Sequence, residues 1–136
     1  MRLTAAACYA VHALAYMDQL GEGRPVASHD IARAKGIPEK YLLKALLPLV
    51  RARVLESLRG PNGGYRLAMP AKGISLLEVV DALEGPICGD VSVEGPGELD
   101  ERLQALCDQV AEMTRGRLRK VMLSDLPGKG GRRRKP

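Results

Sequence analysis

The sequence predicts a mainly α-helical chain with one small β-hairpin and a long helix near its carboxy end. Three observations lead there. Apolar residues recur at steps of three and four in several separate stretches, which is a helical period. Two short strand-like runs flank a turn holding three glycines and a proline, the pattern of a hairpin. Leu99, Leu103, Leu106, Val110 and Met113 alternate steps of four and three, giving a narrow apolar seam on a helix of five or more turns.

Thr4 caps a first helix ending near Leu20, in which Leu3, Ala7, Ala10, Val11, Leu14 and Met17 hold helical spacing. Gly21-Glu22-Gly23 ends it. Ser28 is the expected N-cap of a short helix from about His29 to Lys35, stopped by Gly36. Pro38 falls in the first turn of a third helix, where its missing N–H costs nothing. That helix runs through Tyr41, Leu42, Leu46 and Leu49 to about Arg53, and Pro48 inside it should kink or shorten it. Residues 54–58 and 65–68 then form the hairpin strands, joined by Arg59-Gly60-Pro61-Asn62-Gly63-Gly64.

A helix starts after Ser75, its cap, and runs to Leu83, broken by Gly85-Pro86. A loop leads into the long seam helix, whose rhythm slips at Gly116 and resumes with Leu118 and Val121. Ser124 caps a last turn to Leu126, and a basic, disordered tail follows.

Two helices joined by Lys35-Gly36-Ile37, the second basic at its start, have the layout of a helix-turn-helix. In that motif the second helix enters the DNA major groove. A basic-tipped hairpin directly behind it reads as a wing that reaches a minor groove or phosphates. The fold class is therefore a winged helix-turn-helix plus a long dimerisation helix. The expected divisions are residues 1–84 for DNA binding, 85–98 as a connecting loop, 99–126 for dimerisation and 127–136 as the tail.

Charge supports a polyanion partner. Residues 31–66 carry eight basic and two acidic side chains, whereas residues 76–112 carry ten acidic and one basic. Residues 129–136 add five positive charges and no negative ones. A basic first half beside an acidic second half suits a nucleic-acid module joined to something else. The chain has four Tyr and neither Phe nor Trp, so platforms for stacking on single strands are scarce. Duplex DNA is the better fit.

Other classes fit poorly. With 136 residues, 46% hydrophobic and 27% charged, the chain is expected to be soluble and globular. No apolar run approaches the roughly 20 residues that span a bilayer, and the start lacks the layout of a secretory signal. Three cysteines are too few for a disulfide framework, so the expected compartment is the cytoplasm. No catalytic triad or paired-carboxylate motif stands out, and residues 60–64 lack the Gly-Lys-Ser/Thr ending of a phosphate loop. The expectation is a DNA-binding protein and not an enzyme. A winged-helix protein-interaction module is the alternative.

Met1-Arg2-Leu3-Thr4, Tyr9-Ala10-Val11, Asp30-Ile31-Ala32, Tyr41-Leu42 and above all the run 59–68, RGPNGGYRLA, resemble the IscR/NsrR/CymR (Rrf-type) family of bacterial winged-helix regulators. The likeness covers about residues 1–126. It implies a homodimer in which the long helix of each chain crosses its partner. It also implies a transcriptional regulator that binds an inverted-repeat operator in double-stranded DNA. Ser28, Glu39, Lys40, Tyr41, Lys44, Arg59 and Gly60 are the expected DNA-binding residues. Many members sense iron–sulfur status, nitric oxide, redox state or cysteine metabolites, and the likeness implies that the loop 85–98 is the sensor.

This chain departs from that family in several places. Cluster-binding members usually carry three cysteines close together before the long helix, whereas here the loop holds Cys88 and the next cysteine is Cys107. Leu43 stands where some members have a DNA-reading Glu. Pro48 and Arg53 replace a helix former and a Gly.

Cys8 and His12 are four apart on the first helix and so share a face. Cys107 flanks the apolar seam. Thiolates are the usual holders of Fe–S clusters, and mixed Cys/His sites occur on [2Fe–2S] centres. In some family members the loop and long helix of one chain supply cysteines and the first helix of the other supplies a different ligand. The resemblance thus implies a [2Fe–2S] cluster on Cys88 and Cys107 of one subunit and Cys8 and His12 of the other. A thiol pair that oxidises, a cluster-free metabolite sensor, and plain packing of small apolar cysteines stay open. His29 is read as facing phosphate or solvent.

Overall fold

The computed structural model describes residues 1–21, 23–92, 95 and 97–126. The expected tail, Glu22 and three residues of the loop before the long helix lie outside the described residues. The order is α1 (Ala5–Leu20), α2 (Ser28–Lys35), α3 (Glu39–Arg51), β1 (Leu55–Leu58), β2 (Gly64–Leu67), α4 (Leu76–Glu84) and α5 (Glu98–Arg119). Single 3-10 turns occupy Ala71–Gly73 and Leu123–Asp125. The mainly α architecture with one antiparallel hairpin agrees with the sequence.

Thr4 caps α1 as its position suggests, its Oγ1 accepting from the Ala7 N–H at 3.1 Å. One face of α1 is nearly all small: Ala7, Ala10 and Ala13 are buried with Leu14 and Met17. Small residues let neighbouring backbones come close, and α1 packs against α2, α3, α4 and β2. The core gathers these residues with Ile31, Leu42, Leu46, Leu49, Val54, Leu55, Ile74 and Val79. Helix α4 opens with a reciprocal cap. Ser75 Oγ accepts from the Glu78 N–H at 3.1 Å, and the Ser75 N–H donates to Glu78 Oε1 at 2.9 Å.

Several local expectations need correction. Ser28 is not the cap of α2; Ala27 is, with extended backbone at φ −67° and ψ 144°. The cause lies one residue earlier. The Val26 N–H donates to the Tyr65 carbonyl at 2.8 Å and the Tyr65 N–H to the Val26 carbonyl at 2.9 Å, which pins the approach to α2 onto β2. Pro38 is likewise the cap of α3 and not within its first turn, its carbonyl accepting from the Tyr41 and Leu42 N–H groups at 3.0 Å.

Helix α3 passes through Pro48 and stops at Arg51, two residues short of Arg53. Arg53 has φ 64°, a left-handed conformation usually left to Gly. The Arg53 N–H donates to the Val50 carbonyl at 3.0 Å and the Val54 N–H to the Leu49 carbonyl at 2.9 Å, so the last carbonyls of α3 are satisfied by this reversal. Val54 and Leu49 are both buried across it.

Helix α5 runs unbroken through Gly116, so the rhythm slip does not interrupt it. Beyond Arg119 the chain leaves the seam and turns back. The Leu76 N–H donates to the Val121 carbonyl and the Leu123 N–H to the Ile74 carbonyl, both at 2.7 Å. This return buries Leu123 in the core. Val121 therefore serves the body of the domain and not the stripe. Ser124 lies inside the last turn, Leu123–Asp125, and not at its cap, which is Met122; the Asp125 carboxylate accepts from the Met122 N–H at 2.9 Å.

Candidate nucleic-acid interface and thiol cavity

Helices α2 and α3 meet through Gly36, left-handed at the end of α2, and buried Ile37. Core positions Leu42, Ala45, Leu46 and Leu49 hold one face of α3 inward. Glu39, Lys40, Tyr41 and Lys44 are exposed: Lys40 and Lys44 lie opposite the buried positions, and Glu39 and Tyr41 at the two edges of that face. Lys40 Nζ lies 6.0 Å from the Tyr41 ring centroid, at the edge of cation–π reach. Ser28, freed from capping, donates its Oγ–H to Glu39 Oε2 at 2.8 Å and so ties the start of α2 to the start of α3.

Sequence reasoning missed three further members of this face. Leu43 and Leu47 are exposed large apolar residues, and Arg51 is exposed at the helix end. The signal was available. Residues 40, 43, 44, 47 and 51 step by three and four opposite the buried positions, and exposed leucines on a basic helix suit contact with thymine methyl groups.

The wing pairs Leu55 with Leu67, Glu56 with Arg66, Ser57 with Tyr65 and Leu58 with Gly64. Arg59 and Gly60 stand exposed at its tip, where the Gly63 N–H closes the turn on the Gly60 carbonyl at 3.0 Å. Gly64 permits the wing to seat against the body: a Cβ there falls 2.5 Å from the Val26 carbonyl. Arg66 belongs to the basic block in sequence but not to the tip in space. Its Nε pairs with Glu56 Oε1 at 2.8 Å, across the strands. The wing tip, residues 61–63, lines one cavity with His29, Asp30 and Arg33 of α2. Hence Ser28, Glu39 and the wing are joined by short covalent and hydrogen-bonded links, while Lys40, Tyr41 and Lys44 share the outward face of α3.

The thiols divide into two sets. Cys88 and Cys107 line a single shallow cavity together with Met1, Arg2, Glu84, Asp90 and the seam residues Leu106 and Val110. A close approach brings the loop there. Gly89 lies so near the backbone of Cys107 and Asp108 that a Cβ would collide with both. The Gln104 side-chain amide then spans the gap, donating to the Gly89 carbonyl at 3.2 Å and to Asp108 Oδ1 at 3.0 Å. Cys8 and His12 are exposed on α1 and do not line this cavity. Among the described residues no group of three His, Cys, Asp or Glu of one chain is placed to hold a metal ion. A [2Fe–2S] cluster takes four protein ligands. One chain offers two thiols at one cavity, so the donors fit a cluster only where a second chain closes the site.

Helix α5 keeps its seam away from its own domain. Leu99, Leu106 and Met113 are 70%, 56% and 74% exposed, with Leu103 and Val110 also exposed, and Ala111 is the only buried residue of the helix. Its bond to the body is ionic: Arg115 Nη1 and Nη2 reach the two carboxylate oxygens of Asp81 on α4 at 3.3 and 3.4 Å. Among the described residues no helix is long and apolar enough to cross a membrane.

Comparison with known proteins agrees with this geometry. The Rrf2 family, described as an iron-dependent transcriptional regulator, matches residues 3–128. An HTH-type transcriptional regulator from Mycobacterium tuberculosis is 37% identical over 103 residues, covering 71% of this chain and 64% of that protein. The chain thus spans less than two thirds of that relative's length. Protein aau3 of Rhizobium meliloti is 42% identical over 107 residues, 79% of this chain and 68% of that protein. CymR, the global cysteine regulator of B. subtilis, superposes with a TM-score of 0.76 at 25% identity over 93% of this chain and 95% of that one. T. potens IscR gives 0.75 at 21% identity over 100% and 94%, a likeness of fold. Taken with the helix-turn-helix and its wing, these matches make the chain a member of the Rrf2 family of transcriptional regulators.

Proposed function

We propose that the chain works as a cytoplasmic homodimer that binds duplex DNA at an inverted-repeat operator. Helix α3 enters the major groove. Glu39 and Tyr41 read base edges there, and Lys40 and Lys44 hold phosphates. Arg59 and the backbone at Gly60 engage DNA from the wing, and Ser28 acts at the start of α2. The observation that carries this reading is the exposed, basic face of α3 fixed beside an exposed arginine-tipped wing. The exposed seam of α5 supports pairing with a second copy, since five large apolar residues on one stripe are costly to leave in water. Two identical readers related by a twofold axis match an inverted repeat.

The sensor we propose is a [2Fe–2S] cluster held between subunits. Cys88 and Cys107 of one chain would meet Cys8 and His12 of the partner subunit. The supporting observation is that Leu106 and Val110 belong both to the seam and to the wall of the thiol cavity. A helix paired on the seam therefore borders the thiols. When bound, the cluster supplies one-electron redox chemistry. The chain's own part is to present the thiols, through Gly89 and Gln104, and to link α5 to α4 through Arg115 and Asp81.

A second reading has its own support. Two thiols facing one cavity in a single chain are also arranged for oxidation to a disulfide without a partner.

Anaerobic purification separates the two. The cluster reading predicts bound iron and sulfide with a visible absorption spectrum, both lost in Cys88→Ala and Cys107→Ala. An iron-free folded dimer whose DNA affinity changes on peroxide treatment overturns it in favour of the thiol pair.

A further inference from the structure

We propose that Glu39 is a specificity-determining residue that selects a cytosine amine in the major groove, and that Ser28 is the positioning residue that aims it. The proposal deepens the DNA-binding reading and rests on it.

The starting point is a hydrogen bond that no local rule requires. Ser28 was free to cap α2, yet Ala27 takes that place and the Ser28 hydroxyl donates to Glu39 Oε2 at 2.8 Å. The two residues open the two helices of the helix-turn-helix. Ser28 is itself held through its neighbours, because Val26 bridges Tyr65 in both directions and Gly64 packs on the Val26 carbonyl. The carboxylate is thus anchored, through two residues of backbone, to the wing.

Chemistry then narrows what Glu39 can read. An ionised carboxylate only accepts hydrogen bonds. It repels phosphate and finds no donor on guanine O6 or N7 or on thymine O4. The major-groove donors are cytosine N4 and adenine N6, and cytosine N4 is the usual partner of an acidic side chain. The Ser28 bond uses one acceptor site on Oε2 and leaves Oε1 open to the base. An exposed, freely rotating carboxylate loses rotamer entropy on binding, and a side chain already held loses less. The exposed Lys40 beside it in the chain and Lys44 one turn beyond offset its charge against the phosphates.

The test uses the full-length dimer and a randomised duplex pool, followed by affinities for the selected operator and its single base-pair variants. Wild type should require one C·G pair in each half-site and discriminate against its replacement by about ten- to a hundredfold. Glu39→Gln should lose that preference, while its low-salt affinity for random duplex should rise because a charge that repels phosphate is gone. Ser28→Ala should lower the same discrimination severalfold, and Ser28→Thr, which keeps the hydroxyl, should restore it. A purely structural role for Ser28 predicts instead an equal loss on every sequence together with a lower melting temperature, and that result overturns the positioning role. An unchanged base preference in Glu39→Gln overturns the specificity assignment alone. Failure of the wild type to bind any duplex overturns the DNA-binding reading and this assignment with it.

Discussion

Arg53 pays a conformational cost at the end of α3. Its φ of 64° puts a Cβ-bearing residue in the left-handed region, at about 1–2 kcal/mol. The position persists because the reversal satisfies two helix carbonyls and packs Val54 on Leu49. Arg53→Gly should therefore stabilise the fold by about 1 kcal/mol in urea unfolding, whereas Arg53→Val should destabilise it. Arg59 is the converse case, an exposed side chain with no role in the core. Arg59→Ala should weaken operator binding with no change in melting temperature; unaltered affinity removes Arg59 from the interface. Residues whose partners are local were readable from sequence, as Thr4 and the Ser75/Glu78 pair illustrate. Ser28 and Pro38 each lie one position from where local capping preference puts them; for Ser28 the bridge from Val26 to Tyr65, made across 39 residues of chain, outweighs that preference. Gly89 was invisible for the same reason: its need to be glycine comes from α5.

At the scale of elements, periodicity served well wherever one face alone decides burial. The seam of α5 was evident from spacing, and all five of its residues are exposed on one chain. Where the chain reverses, periodicity failed. Val121 fits the stripe by count yet bonds to Leu76, because Leu123 gains burial beside Ile74 by leaving the helix. The proposed dimer makes the seam its main adhesive, so a double variant, Leu106→Lys with Val110→Lys, should run as a folded monomer of 14.7 kDa by light scattering. A dimer retained in that variant moves the interface elsewhere. The Arg115–Asp81 pair is partly exposed, so its contribution to stability is modest, about 1 kcal/mol or less. In the proposed sensor the pair would link the thiol cavity to the reader, so Arg115→Ala should uncouple changes at that cavity from operator affinity without altering the amount of any iron bound.

For the whole molecule, charge and fold tell one story. The basic block 31–66 contains α3 and the wing, and the acidic stretch 76–112 contains α4 and most of α5. Not every basic residue of the block is available to DNA, since Arg66 is engaged by Glu56. The five positive charges in 129–136 should add sequence-independent affinity only. Truncation after Gly128 is expected to reduce the salt slope of binding and leave base preference intact. What the sequence could not reveal is whether the cysteines meet, because sites between chains leave no spacing rule within one chain. The fold instead divides them, with Cys88 and Cys107 at one cavity and Cys8 and His12 on α1.

Selection of binding sites from a randomised duplex pool is the decisive measurement for the proposed twofold-symmetric reader of duplex DNA. In the proposed dimer, helix α3 and the wing of each subunit would define one half-site, and pairing along α5 would set the distance between two of them. A twofold reader should enrich an inverted repeat whose half-sites are centred about one helical turn, or a whole multiple of it, apart. A single half-site, a direct repeat, or no enriched sequence would contradict it.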